Sequence, residues 1–277
     1  MGPLSFVKMH GLGNDFVVVD ARSQAFSPKP AQVRALADRR TGVGCDQLIL
    51  VEPARNPLAD AFMRIRNADG SEVAACGNAT RCVAALLMRE KGDRHAIVET
   101  AAGLLDAEAT VDGLIGVDMG RISFDWRDIP LAEAVDTLHL PVAVGPLRDG
   151  VGVSIGNPHA VFFVDDAEAA AIEQFGPLIE QDPLFPERTN VEAVQVLGPR
   201  HLRLRVWERG AGLTRACGTG ACAAAVAAAR RGLTDRKVAV DLDGGSLSIE
   251  WLRDDHVLMT GPVATAFTGI LDPSLAG

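Results

Sequence analysis

The chain has 277 residues, of which 48% are hydrophobic, and its formal net charge is −9. This length allows one large domain or two small ones, and the hydrophobic content is sufficient for two cores. The acidic excess argues against nucleic acid as a partner, because nucleic-acid binding depends on contacts between basic side chains and phosphates.

The sequence contains no recognisable targeting segment. Residues 1–11 include Lys8 and lack an apolar stretch, so we expect no signal peptide. The longest run of small and apolar residues without charge, Ala216 to Ala229, is too short to span a bilayer. Five cysteines, an odd number without the spacing of a disulfide scaffold, suit a reducing cytoplasm. We therefore expect a cytoplasmic protein without membrane contact.

Alternating hydrophobic residues predict mostly strands in the first part of the chain. One helix is predicted at Pro30–Arg40. The glycine-rich loop after it, Thr41–Gln47, lacks the Lys-Ser or Lys-Thr ending of a phosphate-binding loop. The predicted strands are Ser5–His10, Phe16–Asp20, Leu48–Val51, Ala61–Arg66, Ala96–Thr100, Leu104–Thr110 and Leu114–Met119.

The second part of the chain repeats this plan. Gly120–Gly150, which carries three prolines and no clear period, is predicted to connect the two parts and to hold one or two strands. A helix is predicted at Ala167–Ile179 and a loop at Asp182–Asn190. The predicted strands are Gly152–Ile155, Ala160–Val164, Val191–Leu197, Leu202–Trp207, Val238–Leu242, Leu247–Leu252 and Val257–Thr260. Strands outnumber helices and most connections are short, which predicts an α+β fold rather than a parallel sheet.

An internal duplication underlies this repetition. The stretch Ala75–Cys82 reads Ala-Cys-Gly-Asn-Ala-Thr-Arg-Cys, and Arg215–Cys222 reads Arg-Ala-Cys-Gly-Thr-Gly-Ala-Cys. Cys217 follows Cys76 by 141 residues (217 − 76). Further upstream, Gly156-Asn157 follows Gly13-Asn14 by 143 residues (156 − 13). The duplication therefore places one cysteine in each half.

Each cysteine is followed by an alanine-rich run that ends in basic residues and a glycine, Gly92 or Gly232. This pattern predicts two helices, each with the cysteine in its first turn and a glycine at its end. A helix N-terminus lowers the pKa of a cysteine and offers N–H groups to a carboxylate. If the halves pack face to face, one thiolate and one thiol could flank a single carbon. That layout fits racemisation or epimerisation without a cofactor.

Other interpretations of the cysteines remain open. A lone cysteine is more often a buried core residue than a catalyst, and we assign that role to Cys45, Cys82 and Cys222. Metal binding is disfavoured, because zinc sites use tighter spacings with nearby histidine. A thioredoxin-like dithiol is disfavoured because the sequence has no Cys-x-x-Cys.

Several motifs, in a fixed order, resemble the diaminopimelate epimerase family over nearly the whole chain. Only two positions depart from the family pattern, Ala79 where glycine is usual and Cys45 where alanine is common. The motifs are His10–Asp20, Asn67–Glu72, Cys76-Gly77-Asn78, Gly156-Asn157-Pro158-His159, Glu187–Asn190, Glu208-Arg209 and Cys217–Gly220.

The resemblance implies two pseudo-symmetric lobes, each a mainly antiparallel barrel around its cysteine helix, with the active site between them. The first lobe would comprise residues 1–119 with about 264–277, and the second residues 120–263. It also implies a homodimer, no metal and no cofactor. The substrate would be LL-2,6-diaminopimelate, converted to the meso isomer in lysine and peptidoglycan precursor synthesis.

The family's functional residues carry over position by position. The resemblance implies that Cys76 and Cys217 are the two acid/base residues, and that His159 and Glu208 tune their pKa values. The α-carboxylate would bind backbone N–H groups at Gly77, Asn78, Gly218 and Thr219. Glu208 would bind the α-ammonium with the Arg209 carbonyl. The distal end of the substrate would be read by Arg209, Asn67, Asn157 and Asn190, with Asn14 and Gln47 close by.

Two other functions are compatible with the duplicated cysteines. A proline racemase-like isomerase would share the architecture, although such enzymes usually carry histidine at the position of Asn78 and aspartate before the second cysteine's loop. A redox protein could instead use Cys76 and Cys217 as a regulatory disulfide. Exchange of the substrate α-proton with heavy water would separate these functions.

Overall fold

The computed structural model describes residues Pro3–Ala276, and short strands dominate it. The earlier elements are β1 (Ser5–Gly11), β2 (Asn14–Asp20), α1 (Pro30–Ala37), β3 (Gln47–Glu52), β4 (Ala61–Asn67), β5 (Glu72–Val73), α2 (Gly77–Lys91), β6 (His95–Thr100), β7 (Gly103–Ala109) and β8 (Ile115–Arg121). The later elements are β9 (Leu140–Val144), β10 (Leu147–Ser154), β11 (Pro158–Phe163), α3 (Ile172–Glu180), β12 (Asn190–Gly198), β13 (His201–Glu208), β14 (Gly212–Thr214), α4 (Gly218–Arg230), β15 (Lys237–Leu242), β16 (Gly245–Trp251), β17 (His256–Gly261), β18 (Ala264–Ile270) and α5 (Pro273–Ala276).

The chain divides into two compact units. The first unit comprises the chain up to Val117 together with the chain from Gly261 onward, and the second comprises Asp118–Thr260. The sequence places domain boundaries after residues 119 and 263, and that domain assignment stays a prediction. Three residues at the ends of the predicted first lobe, Met1, Gly2 and Gly277, lie outside the described part of the chain.

The first unit is a mainly antiparallel sheet with two parallel pairs. Strands β1 and β2 form an antiparallel hairpin, and β2 runs parallel to β3. The sheet continues through antiparallel β3–β4, parallel β4–β6 and antiparallel β6–β7 and β7–β8. On the other side of the hairpin, β18 pairs with β1. Helix α2 contacts both β1–β2 and β6–β7, so the sheet curves around it.

The second unit repeats this order of pairings. The hairpin β10–β11 is antiparallel, β11 runs parallel to β12, and β13 runs parallel to β15. The pairs β9–β10, β12–β13, β13–β14, β15–β16 and β16–β17 are antiparallel. Helix α4 contacts β10–β13, β15 and β16. The duplication seen in the sequence is therefore a duplication of topology.

Small side chains allow α4 to lie inside its curved sheet. Its consecutive alanines, from Ala223 to Ala225 and then Ala227 and Ala228, are all buried. Alanine has the highest helix propensity, and its small side chain keeps the helix narrow. Strands can therefore pack against α4 from several sides. In the first unit, α2 ends at Gly92, whose φ of 67° is the left-handed conformation that glycine adopts without strain.

Helices α1 and α3 pack on the outer faces of the two sheets, and both are shorter than predicted. Helix α1 stops at Ala37, because the Asp38 carboxylate accepts the backbone N–H groups of Arg40 and Thr41 and closes a turn. Helix α3 begins at Ile172 rather than Ala167. The Asp166 carboxylate binds the N–H groups of the two residues after Ala167, which holds a separate turn there.

The prediction that Gly120–Gly150 holds one or two strands is confirmed, because β9 lies within it and β10 begins within it. Strands β9 and β10 form a hairpin across Gly145, whose φ is 58°. A side chain at Gly145 would meet the Phe175 ring at 2.7 Å. The hairpin therefore needs glycine both for its backbone conformation and for close packing against α3.

Buried thiols are expected to make the protein less stable at alkaline pH. Burial raises the pKa of Cys45 to about 11 and that of Cys82 to about 12, against an ordinary value of 9.0. Above about pH 9 the unfolded chain therefore loses these protons while the folded chain keeps them. Unfolding is then favoured as pH rises, by about 1.4 kcal/mol per pH unit for each thiol.

Urea unfolding of the wild type and of Cys82→Ala between pH 8 and pH 11 tests this expectation. The variant lacks one raised thiol pKa, so its unfolding free energy should fall less steeply with pH. The difference in slope, rather than the difference at pH 8, carries the test, because alanine also leaves a small cavity. Parallel curves for the two proteins would contradict the argument.

Candidate active site

Cys76 lies at the start of the helix that the first sheet surrounds. It is the N-cap residue of α2, one position before the helical turn in which it was predicted. Its backbone is extended (φ −152°, ψ 109°), so the side chain projects beside the helix end rather than along the helix. The thiol is half-buried, and its Sγ lies 3.9 Å from Oδ1 of Asn14.

Asn14 forms hydrogen bonds with both Cys76 and the carboxylate of Asp46. Its Oδ1 accepts hydrogen bonds from Cys76 and, at 3.3 Å, from Nδ2 of Asn78. Its Nδ2 donates to Asp46 at 3.0 Å. Asn78 in turn accepts a 2.8 Å hydrogen bond from the fully buried Arg81. The predicted residues Asn14, Cys76 and Asn78 therefore form one group, the Cys76 cluster, which Asp46 and Arg81 hold in place.

Gln47 and Asn67 form a second pair in the first unit. They lie opposite each other on β3 and β4, and Nε2 of Gln47 donates to Oδ1 of Asn67 at 2.9 Å. The amide of Asn67 also donates to Ser71 in the following turn, at 3.1 Å. Gln47 is the residue opposite Phe16 on β2, two positions from Asn14. This register places Gln47 and Asn67 at the same edge of the sheet as Asn14.

A network of four charged residues supports Asn14, and it was not predicted. Lys8 donates to the Asp15 carboxylate and to the Gly44 carbonyl. Arg39 bridges Asp15 and Asp46. Burial raises the pKa of Asp15, but the hydrogen bonds and charges of Arg39 and Lys8 outweigh it and hold that pKa well below its ordinary value.

Lys8→Met is expected to lower the unfolding free energy by about 3 kcal/mol. The side chains of Lys8 and Asp15 are only 10% and 17% exposed, and methionine would leave a largely buried carboxylate short of one cation. Lys237→Met is the matched control. Its ion pair with Glu250 is solvent-exposed, and its loss should change stability by about 1 kcal/mol or less. An equal decrease of the unfolding free energy in the two variants would show that the Asp15 carboxylate does not need Lys8 as its cation.

Cys217 occupies the corresponding position in the second unit. It is the N-cap residue of α4, again one position before the helical turn (φ −118°, ψ 111°). Its sulfur accepts the Gly220 N–H at 3.3 Å and lies 3.6 Å from the Thr219 hydroxyl. Cys217 is only 5% exposed. A side chain at Gly220 would approach both Cys217 Sγ, at 3.3 Å, and the Glu192 carboxylate, at 3.1 Å, so glycine gives room to both.

The expectation of a lowered pKa is wrong for Cys217. Burial raises the pKa of this thiol well above its ordinary value, and the negative charges of Glu208 and Glu192 raise it further. The hydroxyl of Thr219 and the N–H of Gly220 act in the opposite direction without outweighing burial. Desolvation of a thiolate therefore exceeds the favourable effect of the helix end, and Cys217 is a thiol at neutral pH.

A continuous hydrogen-bond chain leads from Cys217 into the core. Thr219 accepts a 3.3 Å hydrogen bond from Nδ2 of Asn157, and Oδ1 of Asn157 lies 3.0 Å from Nε2 of His159. Nδ1 of His159 lies 2.7 Å from Oε1 of Glu192. Both His159 and Glu192 are fully buried. We call these five residues the Cys217 cluster.

Asn190, Glu208 and Arg209 lie together beside this cluster. The Asn190 side chain donates to the Pro158 carbonyl and accepts the Arg209 N–H, both at 2.9 Å, so it fixes the backbone of two motifs. The Arg209 side chain is exposed and donates to the Glu187 carbonyl at 3.2 Å. Glu208 accepts a hydrogen bond from Thr214.

Comparison with known proteins identifies the family. The model of the diaminopimelate epimerase family matches residues 6–124 and 151–266. The diaminopimelate epimerase of Rhodospirillum centenum is 61% identical over 270 residues, covering 98% of this chain and 93% of that protein. That of Erythrobacter litoralis is 58% identical over 270 residues and 97% of each chain. The chain belongs to the diaminopimelate epimerase family.

Solved structures confirm the predicted fold class of this member of the diaminopimelate epimerase family. A probable proline racemase from Agrobacterium radiobacter K84, with bound carbonate, has a TM-score of 0.69 and covers 99% of this chain and 96% of its own. At 19% identity the likeness concerns the fold alone. The predicted membership of an isomerase family is also confirmed.

Besides Lys8, Asp15 and Arg39, three supporting residues of this diaminopimelate epimerase family member were not predicted from the sequence: Asp46, Glu192 and Arg81. Asp46 lies in the glycine-rich loop Thr41–Gln47, and nothing in that loop's sequence indicates the contact with Asn14. Glu192 interrupts the apolar run Val191–Val194 of β12, and an acidic residue within a buried strand is itself a signal. Arg81 is not distinctive in the sequence, because basic residues are common on helices. Within Pro3–Ala276, no group of three or more His, Cys, Asp or Glu residues has the arrangement of a metal site.

Proposed function

We propose that this protein interconverts LL- and meso-2,6-diaminopimelate by moving a proton at one α-carbon, without a cofactor. The observation that carries the proposal is the equivalent placement of two cysteines. Each is the N-cap residue of a helix that a curved sheet surrounds, one in each half of a chain from the diaminopimelate epimerase family. Two equivalent acid/base groups are what inversion at a carbon requires, since one face loses a proton and the other gains one.

The two cysteines take opposite roles in each turnover. One acts as a thiolate and takes the α-proton, and the other acts as a thiol and gives its proton to the opposite face of the carbanion. Burial raises the pKa of Cys217 and so favours its thiol form, which suits Cys217 to the role of proton donor in the first half of the cycle. After turnover the two protonation states are exchanged, which suits the reverse reaction.

The helix ends supply the electrostatic stabilisation that a carbanion needs. The first N–H groups of α2 and α4, at Gly77, Asn78, Gly218 and Thr219, bind the α-carboxylate, where they also stabilise charge that spreads from the α-carbon. A helix does not hydrogen-bond its own first N–H groups, and this makes a helix N-terminus suitable for binding an anion. Glu208 and the Arg209 carbonyl bind the α-ammonium.

The distal amino-acid group determines which substrate is accepted. Arg209 is exposed and its planar guanidinium matches a carboxylate, so it binds the distal carboxylate. Asn67, Asn157 and Asn190 complete this recognition. Gln47 orients Asn67, and Asn14 orients Cys76 through the hydrogen bonds described above.

The proposal extends to location and assembly. The reaction belongs to lysine and peptidoglycan precursor synthesis, and we place the protein in the cytoplasm as a homodimer that binds no nucleic acid. No helix in the described part of the chain has both the length and the apolar character of a membrane span. Sedimentation at micromolar concentration tests the dimer, since a single species of one chain's mass, 29.2 kDa, would contradict it.

Solution exchange in heavy water tests the function. The purified protein is incubated with LL-diaminopimelate, and α-deuterium and the meso isomer are measured together. We expect both to increase, with L-proline unchanged under the same conditions. Inversion of L-proline alone would indicate a proline racemase-like enzyme. Absence of exchange with either substrate, combined with reversible oxidation of both cysteines, would support a redox protein.

A further inference from the structure

The two halves differ at two buried positions. In the first unit Phe16 and Ile49 are fully buried on neighbouring strands, where Phe16 is opposite Gln47 and Ile49 is opposite Val18. In the second unit the equivalent positions hold His159, opposite Asn190, and Glu192, opposite Val161. The second unit therefore has a fully buried histidine and carboxylate where the first unit has an apolar pair. Since the first unit forms the same strand pairings with apolar residues, the fold itself does not require the polar pair.

The hydrogen bonds of the Cys217 cluster run in one direction. Nδ2 of Asn157 donates to Thr219, so the Oδ1 that faces His159 accepts, and Nε2 of His159 carries a proton. Thr219 already accepts from Asn157, so its own hydroxyl proton is available to the Cys217 sulfur. Each donor therefore points toward the sulfur, and hydrogen bonds aligned in this way strengthen one another.

Glu192 is the anchor at the far end of this chain. Its Oε1 lies 2.7 Å from Nδ1 of His159, and one proton shared by the two atoms makes the pair neutral overall. Its Oε2 has no hydrogen-bond partner within Pro3–Ala276. The carboxyl group therefore makes one hydrogen bond, with Nδ1 of His159. That hydrogen bond fixes the ring so that Nε2 faces Asn157.

We propose that Glu192 is a positioning residue, which holds His159 in the orientation that directs hydrogen-bond donors through Asn157 and Thr219 onto the Cys217 sulfur. The charge of Glu192 by itself disfavours a thiolate at Cys217, but the proton shared with His159 makes the pair neutral. The remaining effect, through the aligned donors, is to stabilise the thiolate of Cys217 when this residue acts as the base. The significance of this effect for catalysis rests on the proposed function. The effect on the pKa of the Cys217 thiol does not depend on that function.

The test is the pH dependence of alkylation of Cys217, read by mass spectrometry with Cys76 as internal reference. The titratable groups that act on Cys217 and Glu192 are His159, Glu208 and each other. Glu192→Leu removes the contact with Nδ1 of His159, whereas glutamine could still donate a hydrogen bond to it. In Glu192→Leu the midpoint for Cys217 should rise by about one pH unit, so that alkylation at a given pH is about tenfold slower. Cys76 should keep its midpoint.

Two further variants exclude a general loosening of the structure. His159→Phe with Glu192→Ile recreates the apolar pair of the first half, so it should fold with unchanged or higher thermal stability and still raise the Cys217 midpoint. Glu180→Gln alters another buried glutamate of the second unit, which binds Trp207 and the Gly210 N–H. It should leave the Cys217 midpoint unchanged.

Two kinds of result would overturn the proposal, and a third separates it from the proposed function. An unchanged Cys217 midpoint in Glu192→Leu would mean that Glu192 does not act on the sulfur through His159, and a lower midpoint would mean that it acts only as a negative charge near the sulfur. Equal shifts at Cys76 and Cys217, or the same shift in Glu180→Gln, would mean a general change in the fold. If the wild type fails to epimerise diaminopimelate while the Cys217 midpoint shifts as expected, the proposed function fails and the role of Glu192 stands.

Discussion

Replacing Cys76 or Cys217 with alanine is expected to lower the epimerisation rate by about 10²- to 10⁴-fold. Each thiol acts on one face of the α-carbon, so neither can substitute for the other, and an acid/base group contributes a factor of this size. The measurement is the initial rate of meso-diaminopimelate formation from the LL isomer, with circular dichroism to confirm that both variants fold.

Cys222→Ala is the matched control for this experiment. Cys222 lies on the same helix as Cys217, four positions after the first helical residue, and is fully buried. Its replacement changes the helix interior without touching the N-cap, so most of the activity should remain. A loss below tenfold in either Cys76→Ala or Cys217→Ala would rule out the two-cysteine scheme.

L-Lysine is expected to react at least about 10²-fold more slowly than diaminopimelate, although both carry the same α-amino-acid centre. It lacks the distal carboxylate that Arg209 binds in the proposed site, and sites built to bind a polar group reject analogues without that group strongly. The comparison of kcat/KM for the two substrates measures this effect. Comparable values would mean that the proposed distal pocket does not exist.

Arg209→Lys separates the geometry of this contact from its charge. Lysine keeps the positive charge but loses the planar pair of donors, so kcat/KM for diaminopimelate should fall about tenfold or more. Arg200→Lys is the control, because the side chain of Arg200 is 78% exposed and its nearest carboxylate, on Asp235, is 4.0 Å away. An equal decrease in both variants would argue against a specific role for Arg209.

The sequence predicted those features that the duplication repeats. Two matching Cys-Gly motifs predicted two equivalent helices, and alternating hydrophobic residues predicted nearly every long strand. The exception was β18, which the periodicity did not reveal because its residues are mostly exposed. Local hydrogen bonds set the helix boundaries, and competition between the Asp38 or Asp166 carboxylate and the helix backbone is not visible in periodicity.

The properties that depend on burial were not predictable in the same way. The motif places Cys217 at a helix N-terminus, which favours a thiolate, but it does not reveal the depth of the thiol or the two glutamates near it. Likewise Asp46 and Glu192 are distant in sequence from the asparagine and histidine that they contact. Such residues become recognisable only when the fold brings separate strands together.

The pairing of β1 with β18 has a consequence for the order in which the protein forms on the ribosome. The second unit is one continuous stretch, Asp118–Thr260, and all of its strands emerge in succession. The first unit emerges earlier but receives β18 only after the whole second unit has been synthesised. Throughout that interval one edge of β1 has exposed backbone groups that any passing strand could pair with. The half of the protein that is translated first is therefore the half that is completed last.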